Sequence, residues 1–245
     1  MTPREPAGVP AQAAPAPQPQ PDGDAFWSYQ DLAFFISFAF LSAVLSTLLV
    51  AVLHLRSLVA RLLLLQMFLY VFVIASLYLI FRLRYGGPFW RALGFRYPDK
   101  RAWLSAFVGP ALAIFIGIVG ALLRAPQIEL PFQDFLKSPL TMAALGVLVV
   151  LLGPFCEELV FRGFLMPLLV RSLGELPGIV LAAALFGCMH GPEYRWSWRH
   201  VLLIGLAGVA FGYARYAARS TTAAALMHAT FNLTQFAAFL FSNKW

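Results

Sequence analysis

Charge is what this chain has least of. Only 12% of its residues are Asp, Glu, Lys or Arg, where a soluble domain carries about 25%. With 60% hydrophobic residues over 245 positions and a mean hydropathy of +0.76, there is too little polar surface to face water. The composition excludes a soluble enzyme with a single anchor and points to an all-α polytopic transmembrane bundle. Cysteine is also scarce. Cys156 and Cys188 are the only two, both inside apolar segments, so no disulfide framework is expected. No module interleaving basic and aromatic residues for nucleic acid is visible. The net charge of +7 is assigned to loop Lys and Arg beside anionic headgroups, with the lipid bilayer as partner and no nucleic acid.

Residues 1–25 stand apart. Seven of the 17 prolines fall in the first 21 positions, mixed with Ala and Gln. Such a stretch cannot bury a core, so a disordered N-terminal tail is expected there. It lacks the short apolar run and small-residue cleavage site of a signal peptide.

Beyond the tail, seven apolar segments can be drawn, at 32–53, 62–81, 103–123, 139–170, 177–190, 200–217 and 221–241. The expected bundle has about seven helices, with room for an eighth. Residues 26–138 would form an N-terminal group of transmembrane helices and 139–245 a C-terminal transmembrane core. The fourth segment is too long for one straight crossing, and Gly153-Pro154 is expected to kink it. The fifth is short, which suggests a thinned or water-accessible region beside it. The Lys and Arg of the 82–101 loop favour an N-terminus on the inside. Gly208 and Gly212, spaced by four, make a small-residue seam for a neighbouring helix.

Against this apolar background a few polar residues stand out. Glu157, Glu158 and Arg162 lie within Leu151–Arg162, and each ionisable group at membrane depth costs about 2.5–3.5 kcal/mol on the lenient insertion scale. Glu158 and Arg162 are spaced i,i+4 and can pair. Glu157 points about 100° away, which leaves it freer to act as a general base. The alternative is a buried pair that only fixes packing. His190 ends the fifth segment, before Gly191-Pro192. His228 and Asn232 share a face of the last segment; on their own, these residues also suit interhelical hydrogen bonds.

Depth joins these motifs. Counting about 1.5 Å per residue from one membrane face puts Glu157 at about 20 Å, His190 at about 18 Å, His228 at about 10 Å and Asn232 at about 16 Å. Carboxylate and imidazole together can take a proton from water. A second imidazole and an amide N–H can stabilise an oxyanion. This is a hydrolytic set for a carbonyl substrate, and it needs neither cysteine as nucleophile. Glu157, His190 and His228 would also suit a zinc ion, although the His-Glu-x-x-His helix of zinc proteases is absent.

The same motifs resemble those of the CAAX prenyl endopeptidases and bacteriocin-processing or immunity proteins, the CPBP or Abi membrane proteases. Glu157-Glu158-x-x-x-Arg162, Phe186-x-x-x-His190 and His228-x-x-x-Asn232 match the family's three motifs in order, over residues 139–235. Ala218-Arg219-Ser220 replaces the Thr-Gly-Ser-like turn of many bacterial relatives. The resemblance implies a glutamate-type intramembrane endopeptidase acting on a membrane-associated protein or peptide. By it, Glu157 and His190 would activate water, His228 and Asn232 would form the oxyanion hole, and Arg162 would hold Glu158. The preferred form requires no cofactor; a metal-dependent form would use zinc.

Two other functions fit the same residues. One is a non-catalytic membrane interaction protein, such as a bacteriocin-immunity factor. The other is a transporter using the Glu/His set as a proton relay, for which the paired broken helices of transporter repeats are missing. High Ala and Arg usage suggests a bacterial inner membrane.

Overall fold

Polar side chains just ahead of apolar runs mark most helix starts in this chain. In the computed structural model, which describes residues 26–128 and 133–242, Ser28 and Asp31 form a capping box at the start of α1 (Tyr29–Leu53). The Ser57 side chain accepts from Ala60 N–H at the start of α2 (Leu58–Arg84). Asp99 accepts from Ala102 N–H at the start of α4 (Lys100–Leu122). Each such cap fills a donor that the first turn leaves orphaned. A one-turn helix α3 (Phe89–Ala92) lies between α2 and α4, and a 3-10 turn (Gln133–Lys137) precedes the fourth long apolar helix. The Pro- and Ala-rich stretch 1–25 lies outside the described residues.

That helix, α5 (Pro139–Leu173), runs for 35 residues. It is followed by α6 (Glu175–Met189), α7 (Trp198–Ala218) and α8 (Thr221–Ser242). The described residues contain no strand, and six helices are long and apolar enough to cross a membrane. The seventh, α6, has 15 residues, a length of about 22 Å against a hydrocarbon core of about 30 Å. Large side chains such as Phe40, Phe107 and Leu122 are openly exposed, as a lipid-facing surface requires.

α5 is the central element because both hydrophobic clusters share it. Leu159, Phe164 and Leu168 pack with Trp27, Phe35, Leu77, Phe81 and Leu93. Phe161, Leu165, Met166 and Leu169 pack with residues of α4, α6, α7 and α8, including Ile116, Phe186, Phe211 and Phe231. Trp27 ties the chain ahead of α1 to this helix: its indole N–H donates to the Phe164 carbonyl at 2.9 Å.

The backbone of α5 is irregular where the kink was expected. Two π-helical stretches, Leu148–Leu152 and Leu159–Leu165, flank Gly153-Pro154. A proline has no N–H to donate. In the i→i+5 pattern of a π turn, the acceptor left without a donor by Pro154 is the Val149 carbonyl, and the Asn232 amide donates to it at 2.8 Å. α4 shows the same remedy at Pro110. There the i−4 carbonyl, Ala106, accepts from Thr230 Oγ1 at 2.7 Å. Both repairs come from α8, within one turn of each other.

Candidate active site

The motif residues meet where α5, α6 and α8 adjoin. Glu158 is fully enclosed and Arg162 nearly so. Arg162 Nη1 donates to Glu158 Oε1 at 2.9 Å, and Nη2 donates to the Gly208 carbonyl of α7 at 2.8 Å. The guanidinium also lies over the Phe186 ring, 4.6 Å from its centre. Gly208 is needed for this approach: a β-carbon there would sit 3.2 Å from Arg162 Nη2 and 3.3 Å from Ala183 Cα. The small-residue seam of α7 therefore also receives the arginine.

His228 joins the pair from α8. Its Nδ1 lies 2.9 Å from Glu158 Oε1. An ionised carboxylate only accepts, so Nδ1 carries the proton of this hydrogen bond. The ring stacks on Phe211 at 4.4 Å between centroids. His190 is fixed in a parallel manner at the end of α6. Its Nδ1 lies 2.9 Å from the Phe186 carbonyl, which again makes Nδ1 the donor. Both imidazoles thus turn Nε2 to the same neighbour: Glu157 Oε2 is 3.9 Å from His190 Nε2 and 3.9 Å from His228 Nε2.

These separations are too long for direct hydrogen bonds. They are short enough for one water oxygen to lie within hydrogen-bond distance of Oε2 and of either ring. Glu157 is also the more open carboxylate, with 23% of its side chain exposed against 0% for Glu158. The straight-helix count places these residues in one layer, with His228 about 10 Å short of Glu157; tilt and side-chain reach, which that count ignores, close that difference.

Asn232 sits one turn beyond His228. The hydrogen bond its amide makes goes to the Val149 carbonyl, so one of its two N–H groups is engaged in repairing α5. Cys156 is buried and Cys188 exposed, both as free thiols.

Sequence reasoning passed over three participants. The Gly208 carbonyl holds Arg162, and no side chain signals a backbone acceptor. Glu193, three residues after His190, presents much of its surface, yet the protein around its carboxyl pushes its pKa up. His190 opposes that rise and the Glu157 charge adds to it. Its place after Gly191-Pro192 was the available signal. The third is Tyr70 of α2, whose hydroxyl faces Gly153; one Tyr in an aromatic-rich helix gives no warning.

A zinc ion with bonds of about 2.0–2.1 Å sets tetrahedral ligand atoms about 3.4 Å apart. The 3.9 Å spacings here are wider. Among the described residues no group of three or more His, Cys, Asp or Glu is arranged to hold a metal ion. The set does not fit zinc as it stands.

Fold and site together define a polytopic membrane protein with a polar cluster held inside its bundle. Residues 139–234 match the family model described as type II CAAX prenyl endopeptidase Rce1-like. This stretch is thus similar to the CPBP, or CAAX-protease, family of membrane proteases. It starts with α5 and ends two residues past Asn232, so it contains all three polar motifs. No curated protein and no solved structure matches the chain.

Proposed function

We propose that this protein hydrolyses a peptide bond of a membrane-associated protein or peptide, with water activated by Glu157 and His190. The observation that carries this reading is the convergence of Glu157 Oε2 with two imidazole Nε2 atoms at 3.9 Å. With Nδ1 engaged on each ring, both Nε2 atoms face the same space as Glu157 Oε2. A water molecule, with two O–H groups to donate, is the natural occupant.

In this reading Glu157 accepts a proton as the water oxygen attacks the substrate carbonyl carbon. The carbonyl π-electrons move onto oxygen. His228 stabilises that oxyanion through Nε2–H, a role that requires a proton on both ring nitrogens. The Glu158 carboxylate at Nδ1 is the counter-charge for it, and Arg162 keeps Glu158 in place. The second N–H of the Asn232 amide, not the one given to Val149, adds a donor. Collapse of the tetrahedral intermediate expels the amine, which takes the proton from Glu157. His190, fixed through Nδ1, orients the water and relays protons at Nε2.

The reading needs no cofactor, and a chelator is expected to leave the rate unchanged. Its setting is a bacterial inner membrane. The decisive test compares the N-termini of membrane proteins in host cells carrying wild type or Glu157→Gln at equal abundance. Termini that appear only with wild type would establish cleavage and name the substrate. Identical termini, with a phenotype rescued equally by both proteins, would replace this reading with a non-catalytic interaction protein.

A further inference from the structure

α2 brings a phenol to the edge of the site from outside residues 139–234. Tyr70 is buried, and its hydroxyl lies against Gly153, four residues before Glu157. A β-carbon on Gly153 would come 3.0 Å from the Tyr70 oxygen, 3.1 Å from the Leu148 carbonyl and 3.6 Å from Glu157 Oε1. Phenol and carboxylate thus face the one spot that glycine leaves open. Gln66, one turn earlier on α2, reaches the phenol with its side chain, and Tyr70 also lies within electrostatic reach of Glu157 and Glu193.

A phenol enclosed at membrane depth needs hydrogen-bond partners. The phenolic proton can be given to an acceptor across Gly153. Glu157 has a need that matches. Its Oε2 faces two rings without touching either, and a glutamate side chain has several torsions to restrain. A base whose carboxylate swings loses rate steeply, because misplacement by about 1 Å can cost about a hundredfold.

We propose that Tyr70 is a positioning residue for Glu157: its hydroxyl engages Oε1, directly or through one water, and so holds Oε2 toward His190 and His228. Gly153 is the glycine that lets the two meet. The inference rests on the reading of Glu157 as the base.

The test uses the full-length protein and a peptide spanning the junction named by the N-terminus comparison. Tyr70→Phe should lower kcat by about ten- to a hundredfold, with KM and Tm unchanged. Gly153→Ala should lower Tm, because its methyl is driven against the hydroxyl and the Leu148 carbonyl. Adding Tyr70→Phe should recover part of that Tm, since the hydroxyl is gone, and should leave kcat low. Unchanged kcat in Tyr70→Phe overturns the proposal. So does a rise in KM alone, or a fall in kcat that merely follows a fall in Tm. An equal Tm loss from Gly153→Ala with and without Tyr70→Phe removes the contact itself. If wild type shows no Glu157-dependent cleavage, the reading of the site falls and the positioning role with it. Normal cleavage by Tyr70→Phe sinks the positioning role alone.

Discussion

Asp31 at the start of α1 and Glu158 inside α5 are both wholly enclosed carboxylates facing an arginine. Asp31 Oδ2 accepts from Ser28 N–H, Ser28 Oγ and the Tyr85 hydroxyl, and Arg84 Nε lies 2.8 Å from Oδ1. That centre joins the start of α1 to the end of α2 at the rim of the bundle, where Arg84 remains 38% exposed. Glu158 is finished differently. Arg162 and His228 both use Oε1, while Oε2 and Arg162 Nε are enclosed without a hydrogen-bond partner among the described residues. Beside it, Glu157 faces two imidazoles across gaps too long for hydrogen bonds. Asp31 Oδ1 likewise has an ion-pair contact and no hydrogen bond among the described residues. What separates the two centres is what stands beside them: a carboxylate next to groups that move protons can do chemistry.

That contrast can be broken at several points. The largest effect should come from Arg162→Leu, which strands a buried carboxylate and should cost about 3–5 kcal/mol of stability, read as a loss of folded protein in detergent. Replacing Glu158 by Leu as well should restore much of the fold, since a buried pair exchanged for apolar residues is often neutral. Cleavage should stay absent, because His228 has lost its anchor. Recovery of cleavage in the double variant would show that the Glu158 centre is as structural as the Asp31 one.

Next come two substitutions that each remove one carboxylate charge. Asp31→Asn should lower stability by about 1–3 kcal/mol and leave cleavage per folded molecule unchanged. Glu157→Gln should do the reverse, with cleavage down by about a hundredfold or more and stability within about 0.5 kcal/mol of wild type. Melting curves and single-substrate rates on the same preparations decide both.

The two proline repairs sharpen the comparison further. Thr230→Val and Asn232→Leu each orphan a helix carbonyl, Ala106 and Val149, and each should cost about 1–3 kcal/mol. Only Asn232→Leu should also reduce cleavage, because it disturbs the helix that carries Glu157 and removes the proposed oxyanion donor. Equal rates in the two variants, once corrected for folded fraction, would make Asn232 a structural residue.

The smallest effect concerns pH. Burial first, and the Glu157 charge in support, hold the Glu193 carboxyl above its ordinary value of 4.5, against the pull of His190. In the window above 4.5 the folded protein keeps a proton that the unfolded chain has released. Stability therefore declines as pH rises through that window and levels off above the folded value. The Tm of Glu193→Gln minus that of wild type, followed against pH, should rise across the same window; a flat difference would place Glu193 in bulk-like surroundings.

Much of this was legible in the sequence because it depends on local rules. Seven apolar segments follow from hydropathy, and the helices end within a few residues of where those runs end. The Glu158–Arg162 pair follows from helical spacing, since i and i+4 share a face in any helix. The place of Asn232 shows where such rules stop. Pro154 announces a missing N–H, and the sequence reads it as a kink. Which carbonyl is left orphaned depends on the π pattern around it, and which side chain answers depends on how α8 packs.

The sequence by itself determined the solvent this protein needs, its helices, and the small set of ionisable residues placed inside them, because these depend on transfer free energy and on periodicity along one chain. Only the tertiary structure decided that Glu157 Oε2 faces two imidazoles, that a Gly208 carbonyl holds Arg162, and that Tyr70 comes over Gly153 from a distant helix. Those relations depend on tilt, close approach and side-chain direction between segments far apart in sequence, and no spacing along the chain encodes them directly.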